Sequence, residues 1–166
     1  MHATTVAIDL AKDVFQLAYT DAERSAIEPL RVTSRLRFAA LFENRAPLRI
    51  VMEACGSAHH WARTLGGLGH EVELLPARQV RAFVRSNKDD AADARALWIA
   101  AHQSDIRRVP IKGIEQQAVQ ALHRTRQHWI SVRTATINVL RGLLYEFGVV
   151  LPGGKQVGLK ALSVRR

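Results

Sequence analysis

Four acidic residues, Asp9, Glu53, Asp90 and Asp93, have the types and spacing that suit metal-assisted chemistry. Asp9 interrupts an otherwise apolar segment, and a buried carboxylate needs a partner or a cation because it loses its hydration. Asp90 and Asp93 stand three positions apart in a helical pattern, so they share one helix face. Oxygen ligands favour Mg²⁺ or Mn²⁺, and a pair of such ions can activate the attacking oxygen and stabilise the leaving oxygen in phosphodiester cleavage. The four acids therefore predict a divalent metal site for phosphodiester chemistry.

Each acid also has a structural interpretation. Asp9 could pair with Lys12, and Glu53 could accept hydrogen bonds from backbone amides at the start of the following helix. Asp90 and Asp93 could be first-turn acids that interact favourably with the helix dipole. The residues by themselves leave both interpretations open.

The segments that carry the acids alternate between strand and helix patterns. Short runs of apolar and β-branched residues predict strands over 5–10, 14–20, 26–32, 48–52 and 71–75. Helical patterns cover 34–44, 56–65, 77–84, 90–103 and 114–147, and Ser57 is the expected N-cap of the second helix. Three meandering strands followed by alternating helix and strand predict a mixed sheet covered by helices. Glu53 then follows the fourth strand and can meet Asp9 if the two strands are neighbours.

The pattern divides the chain into an α/β domain over 1–106, a linker over 107–113, a long amphipathic helix over 114–148 and a basic tail over 149–166. Apolar and small residues on the long helix are spaced alternately by four and three, which is typical of a helix that pairs with another helix. They are Ala118, Leu122, Thr125, Trp129, Val132, Thr136, Val139 and Leu143. The expected partner is a second protomer, which makes a homo-oligomer.

Positive charge is concentrated in the last third of the chain. Residues 1–106 hold 13 Lys/Arg and 13 Asp/Glu, whereas residues 107–166 hold 11 Lys/Arg and only two acids. This distribution favours a polyanion partner such as nucleic acid, although a solubilising face is the alternative. Candidate phosphate contacts are Arg78, Arg81, Arg85 and Lys88, which share an arc if their helix is continuous, together with Lys112, Arg124, Arg126, Arg133 and Arg141.

Several classes of protein do not fit the sequence. No apolar run approaches the roughly 18 residues of a membrane span, and the first residues lack the pattern of a signal peptide, so the expected compartment is the cytoplasm. Cys55 is the single cysteine, which excludes an internal disulfide. A nucleophilic pairing of Cys55 with His59 or His60 lacks an orienting acid, so a packed thiol is expected.

Several sequence blocks, in a fixed order, resemble a known family. The segments 7–12 (AIDLAK), 51–63 (VMEACGSAHHWAR) and 88–94 (KDDAADA) resemble the three motif blocks of the DEDD, RuvC-like transposases of bacterial insertion sequences. The resemblance continues through 109–112 (VPIK), 115–117 (EQQ), 122–124 (LHR) and 140–148 (LRGLLYEFG), so it covers nearly the whole chain.

The resemblance implies an RNase H-like (RuvC-like) mixed sheet with flanking helices, followed by a long coiled-coil-like helical arm. It also implies that Asp9, Glu53, Asp90 and Asp93 are catalytic residues that bind Mg²⁺ or Mn²⁺. The implied function is DNA transposition guided by a structured bridge RNA, with DNA and this RNA as partners. Asp89 stands where the family typically has Asn or Thr and adds a fifth acid to the group.

Members of the family continue into a second domain that carries a serine nucleophile and completes a composite site with another protomer. The chain stops before that domain, and Ser163 does not match its serine motif, so the chain is expected to be a fragment that cannot recombine DNA alone. Two alternatives remain: a non-catalytic fragment for nucleic-acid binding or assembly, and a stand-alone RuvC-like nuclease that acts on branched DNA.

Overall fold

The computed structural model describes residues 5–10, 15–19, 28–32, 35–84 and 90–151. The strands are β1 (Thr5–Leu10), β2 (Phe15–Tyr19), β3 (Glu28–Val32), β4 (Arg49–Glu53) and β5 (Glu71–Leu75). The helices are α1 (Arg35–Ala40), α2 (Ala58–Gly67), α3 (Ala77–Val80), which leads into a 3₁₀ turn (Arg81–Phe83), α4 (Asp90–Ala101) and α5 (Ile114–Glu146). The chain divides between Gly113 and Ile114 into two compact units. Among the described residues, no helix combines the length and apolar character that crossing a membrane requires.

The first unit is built on one five-stranded sheet with the strand order β3-β2-β1-β4-β5. β1, β2 and β3 form an antiparallel meander, whereas β4 and β5 run parallel to β1. Helices lie in the connections between the parallel strands. Parallel pairing requires such crossovers, because the chain must return to the end of the sheet where the previous parallel strand began. The expected mixed sheet with flanking helices, followed by a long helix, is confirmed.

The larger core lies on one face of this sheet, beneath α1 and α2. Alternate residues of the central strands, among them Ile8 and Met52, are fully buried there. Phe15 and Phe38 stack with ring centroids 4.2 Å apart, and Trp61 packs edge-on against them at 5.4 Å and 4.7 Å. This aromatic cluster fixes α1 and α2 to the sheet.

The opposite face of the sheet packs against α4 through small side chains. Ala7, Ala18 and Val51 are buried on the strands, and they pack in one cluster with Leu97 and three alanines of α4. Alanine side chains allow a helix to approach a sheet closely. α4 is therefore held near the sheet surface.

A charged network at the sheet edge connects β4, β5 and the end of α4. Arg49 and Arg108 donate hydrogen bonds to the Glu73 carboxylate at 2.9 Å and 2.6 Å. Both arginines also donate to the carbonyl of Ala101, at 3.1 Å and 2.9 Å. Ala101 is the last residue of α4, where helix carbonyls lack intrahelical partners. The two guanidinium groups therefore cap α4 and join it to the sheet.

The ends of two helices differ from the sequence prediction. α1 stops at Ala40 instead of residue 44, because the chain tightens into a turn and Asn44 adopts a left-handed conformation with φ 55°. α2 continues through the glycine pair expected to stop it, and the chain reverses at Gly69, where φ is 92°. The amide of His70 bonds the Leu65 carbonyl and that of Gly69 bonds the Gly66 carbonyl, the pattern of a Schellman motif.

Other local expectations are also corrected. The single helix expected over 77–84 is instead α3 followed by the 3₁₀ turn, and it ends in extended backbone at Val84. α4 ends at Ala101, two residues before the expected end at 103. Ser57 stands at the N-cap of α2, but its side chain makes no capping hydrogen bond.

The segment before α5 is attached to the first unit. The amide of Val109 donates to the Leu74 carbonyl at 2.8 Å, and the amide of Lys112 donates to Nδ1 of His59 at 3.2 Å. Arg63, one turn after His59 on α2, donates to the Lys112 carbonyl. Burial, together with the charges of Lys112 and Arg63, lowers the pKa of His59, so its ring stays neutral and accepts the amide hydrogen. Much of the segment expected to be a linker is thus hydrogen-bonded to the sheet and α2.

We predict that Glu73→Gln destabilises the first unit by about 1–3 kcal/mol, because two arginines would lose their charged acceptor. Burial alone would raise the pKa of Glu73, but the hydrogen bonds and charges of Arg49 and Arg108 outweigh it and lower the pKa below 4.5. This contribution is present above pH 4.5 and is lost as the pH falls through the lowered pKa. Urea unfolding at neutral and acidic pH measures both effects. Glu71→Gln, at an exposed position two residues earlier on the same strand, is the control. Equal losses of stability in the two variants would contradict the role of the network.

Candidate functional site

The register of the two central parallel strands brings Asp9 beside Glu53. β1 and β4 pair Thr5 with Arg49 and continue without interruption to Ile8 with Met52. The next position in the same register sets Asp9 against Glu53, on strands that lie about 4.8 Å apart. Both residues are half-buried at the carboxyl ends of their strands. Two acids separated by more than forty residues in sequence thus become neighbours.

Side-chain alternation decides which face these acids occupy. Asp9 and Glu53 follow Ala7 and Val51 by two positions, so they share the face that packs against α4. Asp93 stands on α4 one turn before Leu97, which is buried in that same interface. The sheet and α4 therefore present acids to the same space.

A pocket of about 460 Å³ opens where these elements meet. Among the described residues, its charged lining consists of Asp9, Glu53, Asp93 and Arg81. The remainder is apolar and is formed by Ala77, Val80, Val84 and Leu97. Three of the four acids singled out in the sequence thus line one pocket.

Electrostatic repulsion accompanies this arrangement. Burial raises the pKa of Glu53, and the negative charge of Asp93 raises it further. Among the described residues, no lysine or arginine is within ion-pair distance of the Glu53 carboxylate. A cation in the pocket would therefore relieve an unfavourable charge.

The donor set suits a hard divalent ion, since its charged oxygen ligands are carboxylates. Asp90, the fourth predicted ligand, begins α4, but its side chain lies outside the described residues, as does the whole of Asp89. Within the part of the chain that the structure describes, no three His, Cys, Asp or Glu side chains are grouped as metal ligands. The assignment of the four acids as metal ligands stays a prediction.

The structural alternatives for the acids fare differently. Lys12, the possible partner of Asp9, lies outside the described residues. Glu53 receives a 2.8 Å bond from the Cys55 amide, but on its backbone carbonyl instead of its carboxylate. Asp93 does lie in the first turn of α4, so a favourable interaction with the helix dipole operates whatever else the residue does.

The basic residues expected to form one arc do not all reach the pocket. Arg81 lines it, whereas Arg78 is exposed on α3 and is not among the lining residues. The continuous helix that would align them is interrupted by the 3₁₀ turn, and Arg85 and Lys88 lie outside the described residues. The sequence did not indicate the apolar lining of the pocket, because Val80 and Leu97 have the spacing of ordinary core residues.

The long helix α5 carries the remaining candidate phosphate contacts. Arg124, Arg126 and Arg133 are exposed, Arg141 is half-buried, and Lys112 lies just before the helix. The apolar stripe of α5 is also exposed: Leu122 is 71%, Trp129 63% and Leu143 50% accessible. No residue of α5 is buried. The helix itself is confirmed, and its pairing with a second protomer stays a prediction.

Cys55 is half-buried and packs against the larger core, as expected of a packed thiol. Nδ1 of the neighbouring His59 already accepts the Lys112 amide, and His60 is exposed. The geometry gives no support to a cysteine nucleophile.

Comparison with known proteins identifies the family. The model of the DEDD transposases of the IS110 type, described as transposase, matches residues 6–148. The chain belongs to this transposase family.

Individual relatives agree with this family. A probable family 20 transposase of Pseudomonas aeruginosa is 43% identical over 90% of this chain and 44% of its own length. The transposase for insertion sequence element IS1111A of Coxiella burnetii is 42% identical over 89% of this chain and 40% of its own length. The transposase for insertion sequence element IS1328 of Yersinia enterocolitica is 33% identical over 92% and 46%. This chain thus spans less than half the length of these relatives.

One solved structure is similar to part of the chain. It is RuvC of T. thermophilus in complex with a Holliday junction substrate, with a TM-score of 0.43 and 11% sequence identity. The match covers 65% of this chain and all of that chain.

We predict that Glu53→Gln stabilises the metal-free protein at neutral pH. Since the pKa of Glu53 is raised in the folded state, its contribution to stability is present below pH 4.5 and is lost as the pH rises through the raised pKa. The neutral amide of glutamine removes this loss. Urea unfolding in EDTA should therefore show a higher free energy of unfolding than for the unaltered chain at pH 7, and the difference should shrink towards pH 4. Glu43→Gln, at an exposed position outside the pocket, is the control. A loss of stability at pH 7 in Glu53→Gln alone would show that the carboxylate has a stabilising partner.

Proposed function

We propose that this chain is the metal-dependent catalytic domain of an RNA-guided DNA transposase, with Asp9, Glu53, Asp90 and Asp93 as its catalytic acids. The observation that carries the proposal is the pocket lined by Asp9, Glu53 and Asp93, which come from three distant parts of the sequence. Membership of a transposase family supports DNA as the substrate. Carboxylate ligands make Mg²⁺ or Mn²⁺ the expected cofactor.

The acids of the site are carried by two strands and one helix. Asp9 and Glu53 are held by two central strands, so their separation is set by the sheet. Asp93 comes from α4, which packs against the same face of the sheet. When bound, the metal would supply charge neutralisation and activation of the attacking oxygen. Val80, Val84 and Leu97 contribute apolar side chains to the lining of the pocket.

The remaining features concern partners. The exposed arginines of α5 would bind phosphates of DNA and of a structured bridge RNA, as the family resemblance implies. The exposed apolar stripe would pair two protomers. The relatives are more than twice as long as the segment that they share with this chain.

We predict that Asp9→Asn abolishes the binding of Mg²⁺ and Mn²⁺, because it removes one charged ligand from the most rigid part of the site. Isothermal titration calorimetry of the purified chain measures the binding directly. Asp105→Asn, at an exposed position near the end of α4, is the control and should bind metal as the unaltered protein does. Binding that survives Asp9→Asn unchanged would place the metal elsewhere.

We also predict that α5 provides most of the affinity for polyanions. Replacing Arg124 and Arg133 by Gln should weaken RNA and DNA binding and reduce the slope of log K against log salt, by about 0.7–0.9 for each lost phosphate contact. Fluorescence anisotropy over a series of salt concentrations measures both quantities. The control is the double replacement of Arg45 and Arg95 by Gln, two exposed arginines of the first unit. Equal slopes in both double variants would mean that the charge of α5 only increases solubility.

A further inference from the structure

The acidic pocket has an electrostatic difficulty as a site for a phosphodiester. Two divalent cations would bring four positive charges, and four carboxylates would cancel them. An incoming phosphodiester carries one further negative charge, which the ions and the four carboxylates would leave unbalanced. A fixed positive charge inside the pocket would supply the missing attraction.

Arg81 is the one lysine or arginine among the described residues that line the pocket. Its backbone begins the 3₁₀ turn, directly after Val80, which is buried. Its side chain is exposed, so a ligand arriving from solvent can contact it. In the described part of the chain it forms no ion pair with Asp9, Glu53 or Asp93. The guanidinium group therefore has donors available for a ligand.

The surroundings of Arg81 indicate what kind of ligand fits. Acids line one part of the pocket, and Ala77, Val80, Val84 and Leu97 form an apolar wall. A nucleotide has the matching parts, since its phosphate is anionic and its sugar carries apolar carbon–hydrogen surface. Guanidinium binds phosphate oxygens with two parallel hydrogen bonds, which fixes orientation as well as position.

We propose that Arg81 binds the phosphate that is to be cleaved and orients it towards the acids, while the apolar wall contacts the adjoining sugar. This inference rests on the proposed function and assigns to Arg81 a role that its exposed neighbour Arg78 does not share. Arg78 precedes it by three positions, on the same short helical segment, but does not line the pocket. The pair therefore provides a matched comparison of two arginines that differ in their access to the pocket.

The test uses the dinucleotide TpT, which carries a single phosphodiester and therefore reports on one phosphate contact. Titration with TpT in Mg²⁺, followed by phosphorus NMR, gives its affinity for the unaltered chain, Arg81→Gln, Arg81→Lys and Arg78→Gln. Loss of a hydrogen bond to a charged group corresponds to about a 10- to 100-fold weaker affinity, expected for Arg81→Gln. Arg81→Lys should recover part of the loss, because it keeps the charge but not the bidentate geometry. Arg78→Gln should change the affinity less than threefold.

Calorimetric titration with Mg²⁺ on the same variants separates this inference from the proposed function. Arg81→Gln should bind Mg²⁺ at least as tightly as the unaltered chain, because it removes a positive charge from the pocket. An unaltered chain that binds no Mg²⁺ would overturn the proposed function. Normal Mg²⁺ binding with equal TpT affinities for Arg81→Gln and Arg78→Gln would overturn the role of Arg81 alone. Urea midpoints equal to that of the unaltered chain confirm that each variant is folded.

Discussion

The parallel register between β1 and β4 is the constraint on which the rest of the site depends. Because Ile8 pairs with Met52, the next step along both strands sets Asp9 beside Glu53. A shift of one residue would turn one of these acids to the opposite face, among the aromatic side chains of the larger core. Burial of Ile8 and Met52 in that core therefore fixes the register. The packing of one face of the sheet thus determines which side chains meet on the other face.

The two faces of the sheet carry side chains of different size. Large aromatic and aliphatic residues cover the face beneath α1 and α2, where they hold the sheet together. Mainly small residues cover the other face, where they leave space for a helix that carries an acid. The pocket forms at one end of this second interface. Both Leu97 and Asp93, which lies one turn nearer the start of α4, line it. The acids of the candidate site thus lie at the border of a packed layer that gives them fixed positions.

The sequence allowed the strands to be predicted because each is a short run of apolar residues, and it indicated the acids because charge inside such a run is costly. It did not give the register, since pairing depends on packing between segments far apart in sequence. The helix over 77–84 was predicted as continuous from its composition. The segment instead passes from α3 into a 3₁₀ turn and then into extended backbone at Val84. Of the two described arginines in the expected basic arc, Arg81 lines the pocket and Arg78 does not. The network around Glu73 was not foreseen because its members, Arg49 and Arg108, are scattered along the chain.

The alanine-rich contact of α4 with the sheet has a thermodynamic consequence. Each buried alanine contributes one methyl group, so this helix gains much less apolar burial than a leucine-rich helix would. Leu97 in the interface and the two arginines on the Ala101 carbonyl supply much of the remaining attachment. Helix position and ligand binding at its first turn are then linked equilibria, so each stabilises the other by the same free energy. Local opening of α4, observable by amide hydrogen exchange, would thus set part of the apparent affinity for any cation held by Asp93.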